Sequence, residues 1–297
     1  MNEQHFGFVA VLGAPNAGKS TLVNTLVGSK VSIVSPKVQT TRSRIRGIWI
    51  EGNTQIVLVD TPGIFKPSRR FDRAMVAAAW SEAGESDLRL LLVDAGKGID
   101  KNTQNIITSL KKNKQHAVLV INKIDTVKKE ALLPLITKLN EYGIFSETFL
   151  ISAKTSENLD DLKQYLIQKM PKGAWMFPED QLSDLPNRLF CAEITREKLF
   201  FMLQQELPYM LSVETTSFQE NETSIRIEQT IYVSRTGQKA IILGKNGSMI
   251  KKIGASARRE LTALFEKQVH LFLFVKVKEN WSEDPAQYTN WGLDFNA

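Results

Sequence analysis

Gly13-Ala14-Pro15-Asn16-Ala17-Gly18-Lys19-Ser20 stands between the apolar run Phe8–Leu12 and the amphipathic stretch Thr21–Gly28. Strand, glycine-bounded turn and helix in that order make the GxxxxGK[ST] phosphate cradle. Its glycines let backbone N–H groups curl around phosphate oxygens, and the helix start favours negative charge. Lys19 reaches the outer phosphates, and the Ser20 hydroxyl can ligate Mg2+. The stretch predicts a nucleoside triphosphate site at the edge of a sheet.

Outward from it, apolar runs alternate with helix-length segments. Leu88–Ala95 precedes a helix to about Lys112, His116–Lys123 precedes Lys129–Gly143, and Thr148–Lys154 precedes Asn158–Met170. That alternation predicts an α/β domain with a mostly parallel sheet covered by helices on both faces. A Gly52–Asn53 turn between Ile45–Ile50 and Gln55–Asp60 predicts one hairpin, hence one antiparallel edge strand.

Hydrophobic residues make up 42% of the 297 and charged residues 24%, which supports sizeable cores and excludes a disordered chain. Cys191 is the single cysteine. An internal disulfide is therefore excluded, zinc lacks its usual ligands, and a reducing compartment is expected. No stretch approaches the roughly 18 apolar residues that span a bilayer, and no cationic start precedes the first apolar run, so a cytoplasmic protein is expected.

Beyond Met170, Pro171, Pro178 and Pro186 punctuate a stretch without period, read as a linker. A smaller α+β block follows: a helix around Arg196–Leu207, strands Leu211–Phe218 and Ile225–Ser234, the glycine-broken Gly244–Gly254, a helix through Phe265, and a strand His270–Lys278. The net charge is +6, yet residues 226–278 alone hold 11 Lys and Arg against 3 Glu. The positive excess is local. The division predicted is 3–170, a linker 171–190, a second domain 191–278, and a tail 279–297 that offers no reading.

Three further strand ends carry chemistry. Asp60-Thr61-Pro62-Gly63 closes the strand Gln55–Val59, placing a carboxylate where it can hold a metal through water and the Gly63 N–H where it can sense a γ-phosphate. Asn122-Lys123-Ile124-Asp125 follows a buried-type strand. There Asp125 can accept from guanine N1–H and the 2-amino group; adenine would leave a buried Asp125 unpaired, so GTP is favoured over ATP. Ser152-Ala153-Lys154 can help hold the base, with the Ala153 N–H near O6 and Lys154 over the ring. A P-loop kinase or ATPase is the competing class, and Asp125 separates the two.

These elements, in order and at strand ends, resemble a translation-factor-type small GTPase domain, and GAPNAGKS, Gln39-Thr40-Thr41-Arg42 and DTPGIF (60–65) resemble its Era-like branch. The resemblance implies GTP and GDP as ligands, with Mg2+ held by Ser20, Thr41 and Asp60. Thr41 matches the switch threonine, with Thr40 as the other candidate. Lys19, Asn16, Thr41 and Gly63 are the implied catalytic set. Many relatives orient the attacking water with a Gln after DxxG; Ile64 stands there and can neither orient nor deprotonate water. Asn16 matches an asparagine that helps bind K+ in relatives with GxPNxGKS, its other role being to cap the loop. A slow GTPase stimulated by K+ is expected.

In the second block, Gly244-Lys245-Asn246-Gly247 leads into a helix with Ile250, Ile253, Ala257, Leu261 and Leu264 on one face and Lys251, Lys252, Arg258 and Arg259 beside or opposite it. A GxxG turn admits a close nucleic-acid backbone and can clamp about four nucleotides beside an apolar groove. A solvated amphipathic helix after a plain turn is the other reading. The element order resembles a type II KH domain, with Gly244, Lys245, Asn246, Gly247, Lys251, Lys252 and Arg258 as RNA contacts. A GTPase domain joined to such a module resembles the Era family over nearly the whole chain. That implies binding near the 3′ end of 16S rRNA, a part in maturing the 30S ribosomal subunit, and peripheral contact with the inner membrane; a monomer is expected. The alternative is a GTPase regulator of a protein or membrane partner, its C-terminal domain a scaffold.

Overall fold

The computed structural model describes residues 3–35, 37, 40–42, 44–67 and 69–297. Two compact units divide the chain: Met1–Asp184 with Tyr288–Ala297, and Leu185–Gln287.

The first unit, among its described residues, carries a sheet of β1 (His5–Gly13), β2 (Ile45–Glu51), β3 (Thr54–Asp60), β4 (Leu88–Asp94), β5 (Ala117–Asn122) and β6 (Phe145–Leu150), in the order β2-β3-β1-β4-β5-β6. Only β2 and β3 pair antiparallel. Period-two alternation sorts β1 between two cores. Val9 and Val11 face α1 (Lys19–Val27) and α5 (Leu159–Lys169); Ala10 and Leu12 face α2 (Arg70–Glu85), α3 (Lys101–Lys112) and α4 (Leu132–Asn140). The strands run through one apolar slab, so every parallel strand delivers its carboxyl end to the same edge.

Residues 172–184, expected as linker, run along this unit instead. Gln55 accepts from the Met176 and Phe177 amides (3.0 Å each) and donates to Phe177 O (2.8 Å), while Ile48 N donates to Leu182 O (2.9 Å). The strap covers polar backbone on the exposed edge of β2, as edge strands require. Residues after Lys278, which offered no reading, form a 3-10 turn and the short helix α9 (Pro285–Asn290). Tyr288, Trp291 and Leu293 then pack on Phe71, Ala74 and Met75 of α2. The Phe71 and Tyr288 rings meet edge to face at 5.4 Å, and Arg70 lies 4.6 Å over Phe295.

The second unit is α6 (Asn187–Met202), β7 (Leu211–Glu220), β8 (Ser224–Val233), α7 (Thr236–Leu243), α8 (Ser248–Phe265) and β9 (Gln268–Val277). β7 pairs antiparallel and β9 parallel with β8. Ile253, Ala257 and Leu261 of α8 face the core, as their spacing predicts. α6 starts nine residues before the expected Arg196 and ends before Leu207. Buried Glu193, Arg196 and Glu197 on its inward face hide the apolar period, and the Arg196–Glu193 pair (Nε–Oε1 2.6 Å) makes their burial tolerable.

Cys191 is fully buried in α6, and burial pushes its thiol up to about 12. The thiolate is the reactive species. Native protein at pH 8 is expected to leave a chromogenic disulfide reagent unconsumed and to react with one equivalent only after denaturation.

Candidate nucleotide and nucleic-acid sites

Between β1 and α1 the chain turns through Asn16 (φ 65) and Gly18 (φ 100) before Lys19 opens the helix. Gly18 is required twice over: its φ is left-handed, and a Cβ there would sit 2.2 Å from Asn122 Nδ2. Lys19 is 6% exposed and donates to Gly13 O (3.1 Å) and Ala14 O (3.2 Å). Burial lowers its pKa to about 8, against the pull of Asp60. A charge so placed lacks a strong counter-anion, which a polyphosphate would supply.

Asp60, fully buried at the end of β3, collects hydroxyls. Among the described residues Ser20 (2.7 Å), Ser32 (2.6 Å) and Thr41 (3.0 Å) all donate to its Oδ2, and Ser20 and Thr41 lie 3.0 Å apart. Burial pushes the carboxyl up, while Lys19 and the three hydroxyls pull it down. Its Oδ1 is buried without a hydrogen-bond partner among the described residues. Hard oxygen donors around an orphaned carboxylate oxygen fit Mg2+. Thr41 rather than Thr40 joins this cluster; the Thr40 hydroxyl turns to Lys37 O (2.8 Å). Gln39 lies outside the described residues. Thr61 Oγ1 donates to Val11 O, a bond inside the sheet edge. Ile64 is buried, its amide on Gly13 O (3.2 Å). Pro15, Lys19, Ser20, Thr41, Gly63 and Lys123 are among the residues lining a cleft of about 210 Å3.

At the far end of the cleft, Asn122 ties two loops together. Its Nδ2 donates to Ala17 O (2.9 Å) and its Oδ1 accepts from Ala153 N (2.9 Å). The Ala153 amide expected near a base O6 is thus engaged by Asn122. Lys123 (φ 65) spans the cradle, donating to Asn16 O (2.6 Å) and Asp94 (2.7 Å). Asp125 is exposed, not buried as the sequence suggested, and Lys154 is exposed too. Desolvation of Asp125 must therefore come from the base itself. Ser152 is buried and accepts from Thr155 N (3.2 Å). Motif reading missed Ser32 and Asp94. Asp94 carried a signal, since it ends the run Leu90–Val93 as Asp60 ends its strand.

In the second unit, α7 stops at Gly244 (φ 70), and Lys245, Asn246 (φ 52) and Gly247 (φ 73) make the turn into α8. At Gly244 a Cβ would lie 2.8 Å from Met249 N, so a side chain is excluded there. Lys245, Asn246, Lys251, Lys252, Arg258 and Arg259 are exposed. A cleft of about 450 Å3 lies between α8 and the edge strand β9, with Ile250, Lys251, Gly254, Arg258, Phe272 and Phe274 among its lining. Lys252 and Arg259 are not among its lining residues. The Phe272 and Phe274 wall was not anticipated, because both were read only as strand residues.

A phosphate cradle, a carboxylate–hydroxyl cluster and a base end on one sheet edge, joined to a GxxG module, define a P-loop GTPase with a KH domain. Family models agree: one described as 50S ribosome-binding GTPase matches residues 8–123, and a KH domain model matches residues 206–282. The GTPase Era of Brucella suis is 55% identical over 290 residues, 97% of this chain and 93% of its own length. That of Sinorhizobium medicae is 56% identical, over 97% and 94%. Two crystal structures of Era, one with MgGDPNP and nucleotides 1506–1542 of 16S ribosomal RNA, the other an Aquifex aeolicus variant bound to GDP·AlF4−, each share 37% identity and a TM-score of 0.92, covering 97% of this chain and 99% of theirs. The chain belongs to the Era family of GTPases.

Asn122→Ala is expected to cost about 2 kcal/mol in urea denaturation, one for each buried hydrogen bond lost. Gly18→Ala should destabilise as well, whereas Gly84→Ala, in a helix with open space around it, should stabilise by up to about 1 kcal/mol.

Proposed function

We propose that the chain is a GTP-hydrolysing switch that binds RNA through its KH domain, its target 16S rRNA near the 3′ end, and that it acts in maturation of the 30S subunit. The observation that carries this is the joint presence of both sites in a chain 37% identical to an Era crystallised with MgGDPNP and a 16S rRNA fragment. The same resemblance extends the proposal to a cytoplasmic location with peripheral contact at the inner membrane.

In this reading the cradle amides of residues 13–18 and Lys19 bind the β- and γ-phosphates. Ser20, Thr41 and Asp60 hold Mg2+, which supplies positive charge to the phosphate oxygens. Asp125 takes the N1–H and 2-amino group of guanine, with Lys123 and Lys154 against the ring. Ile64 lies in the core, so water must be oriented by backbone groups such as the Gly63 N–H. Asn16, at the mouth of the cradle, is proposed to recruit K+ as the added cation that stabilises charge on the transferred phosphoryl group. Thr41 and Gly63, both lining the cleft, are the parts that a γ-phosphate can hold and its loss release.

Calorimetry tests the guanine site. GDP and GTP should bind in magnesium buffer, ATP should compete poorly, and Asp125→Asn should weaken GDP about 100-fold, the worth of two charge-assisted hydrogen bonds. Hydrolysis should be faster in K+ than in Na+, a difference that Asn16→Asp alters; equal rates for both proteins in both salts would remove the K+ role. On the RNA side, filter binding to a short single strand should weaken steadily with salt. Gly247→Asp, which puts a side chain at φ 73 and an anion at the turn, should lower affinity more than tenfold.

A further inference from the structure

Ser32 lies in the segment between α1 and β2, outside every motif, and is 1% exposed. Its backbone is pinned by one side chain. Asn24, on α1, accepts from both Val31 N and Ser32 N (2.9 Å each) through Oδ1 and donates through Nδ2 to Ser32 O (2.7 Å). The amide group of Asn24 thus clamps a single dipeptide to a helix whose first residue is Lys19. So held, the Ser32 hydroxyl donates to Asp60 Oδ2 at 2.6 Å.

A carboxylate oxygen offers two lone pairs, yet three hydroxyls converge on Asp60 Oδ2. Two of them have another partner at hand. Ser20 and Thr41 lie within hydrogen-bond distance of each other, and both belong to the set that would hold Mg2+. Among the described residues Ser32 has neither option, its hydroxyl being bonded to Asp60 alone and its backbone held by Asn24. Asp60 Oδ1, meanwhile, is buried and, among the described residues, without a hydrogen-bond partner.

We propose that Ser32, anchored by Asn24, is a positioning residue of the Mg2+ site. A cation held by the Ser20 and Thr41 oxygens would compete for the placement of those two hydroxyls, whereas Ser32 would stay committed to Oδ2, keeping the carboxylate in position with Oδ1 available. Outer partners of metal-site carboxylates characteristically contribute tenfold to a hundredfold to metal affinity. The inference rests on the guanine-nucleotide reading above and adds residues that reading does not contain.

The test is release of a fluorescent GDP analogue from the full chain as Mg2+ is titrated. Ser32→Ala should raise the Mg2+ concentration that half-suppresses release by about tenfold or more, while release in excess EDTA stays at the wild-type rate, because Ser32 has no role at the nucleotide. Asn24→Ala should shift the Mg2+ midpoint in the same direction by leaving the hydroxyl unanchored. Thermal midpoints without nucleotide separate a folding defect, which would speed release in EDTA and in Mg2+ alike. An unshifted Mg2+ midpoint for Ser32→Ala, or an equal acceleration with and without Mg2+, overturns the proposal. Failure of the wild type to bind the analogue at all would strike the guanine reading instead.

Discussion

Two opposite charges are buried at one edge of the sheet without a direct ion pair between them, and the architecture of the first unit follows from making that tolerable. Lys19 is held by two backbone carbonyls and Asp60 by three hydroxyls. Neither arrangement repays in full what removing a charge from water costs. The parallel sheet supplies the setting: β1 and β3 end side by side, so the cradle and the carboxylate emerge at adjacent points of a rigid slab. Polyphosphate and a divalent cation carry the charges each residue lacks, so binding relieves a cost already sustained in folding.

Around that charged centre the remaining parts are spacers and clamps. Asn122 fixes the separation of the cradle from the base end, and Lys123 braces the cradle from outside through Asp94. Asp125 and Lys154 stand in solvent. At the phosphate end Lys19, Thr41 and Asp60 are buried and held by hydrogen bonds, and the base end is open. Tightness then comes mainly from the phosphates and selectivity from the base, which itself must exclude water from Asp125.

The elements legible in the sequence were those whose function forces a local pattern. Gly18 and Lys19 belong to a turn that few other residues can make, Gly52–Asn53 to a two-residue hairpin, and Gly244–Gly247 to a turn with φ above zero at three of its four residues. What escaped reading depends on partners distant in the chain. Ser32 has meaning only beside Asn24 and Asp60, which no spacing rule joins. The start of α6 was masked by Glu193 and Arg196, charges that face inward because they neutralise each other. The proline-punctuated strap lacks a period of its own, since its order comes from the Gln55 side chain and the β2 edge. Asp125 reads as buried because it closely follows a buried-type strand, yet the chain leaves the sheet at Asn122 and carries it outward.

The docking of Tyr288, Trp291 and Leu293 on α2 makes the KH module a closed excursion: the polypeptide leaves the first unit after Asp184 and returns to it at Tyr288. An inserted module is covalently secured at both ends, so loss of order in either connection still leaves it attached. The returning segment also roofs apolar side chains of the helix that follows the Asp60–Gly63 turn. Shortening the polypeptide after Gln287 would therefore be a change to the hydrolytic unit, uncovering Phe71 and Met75, and not a trimming of the RNA module that precedes those last residues in sequence.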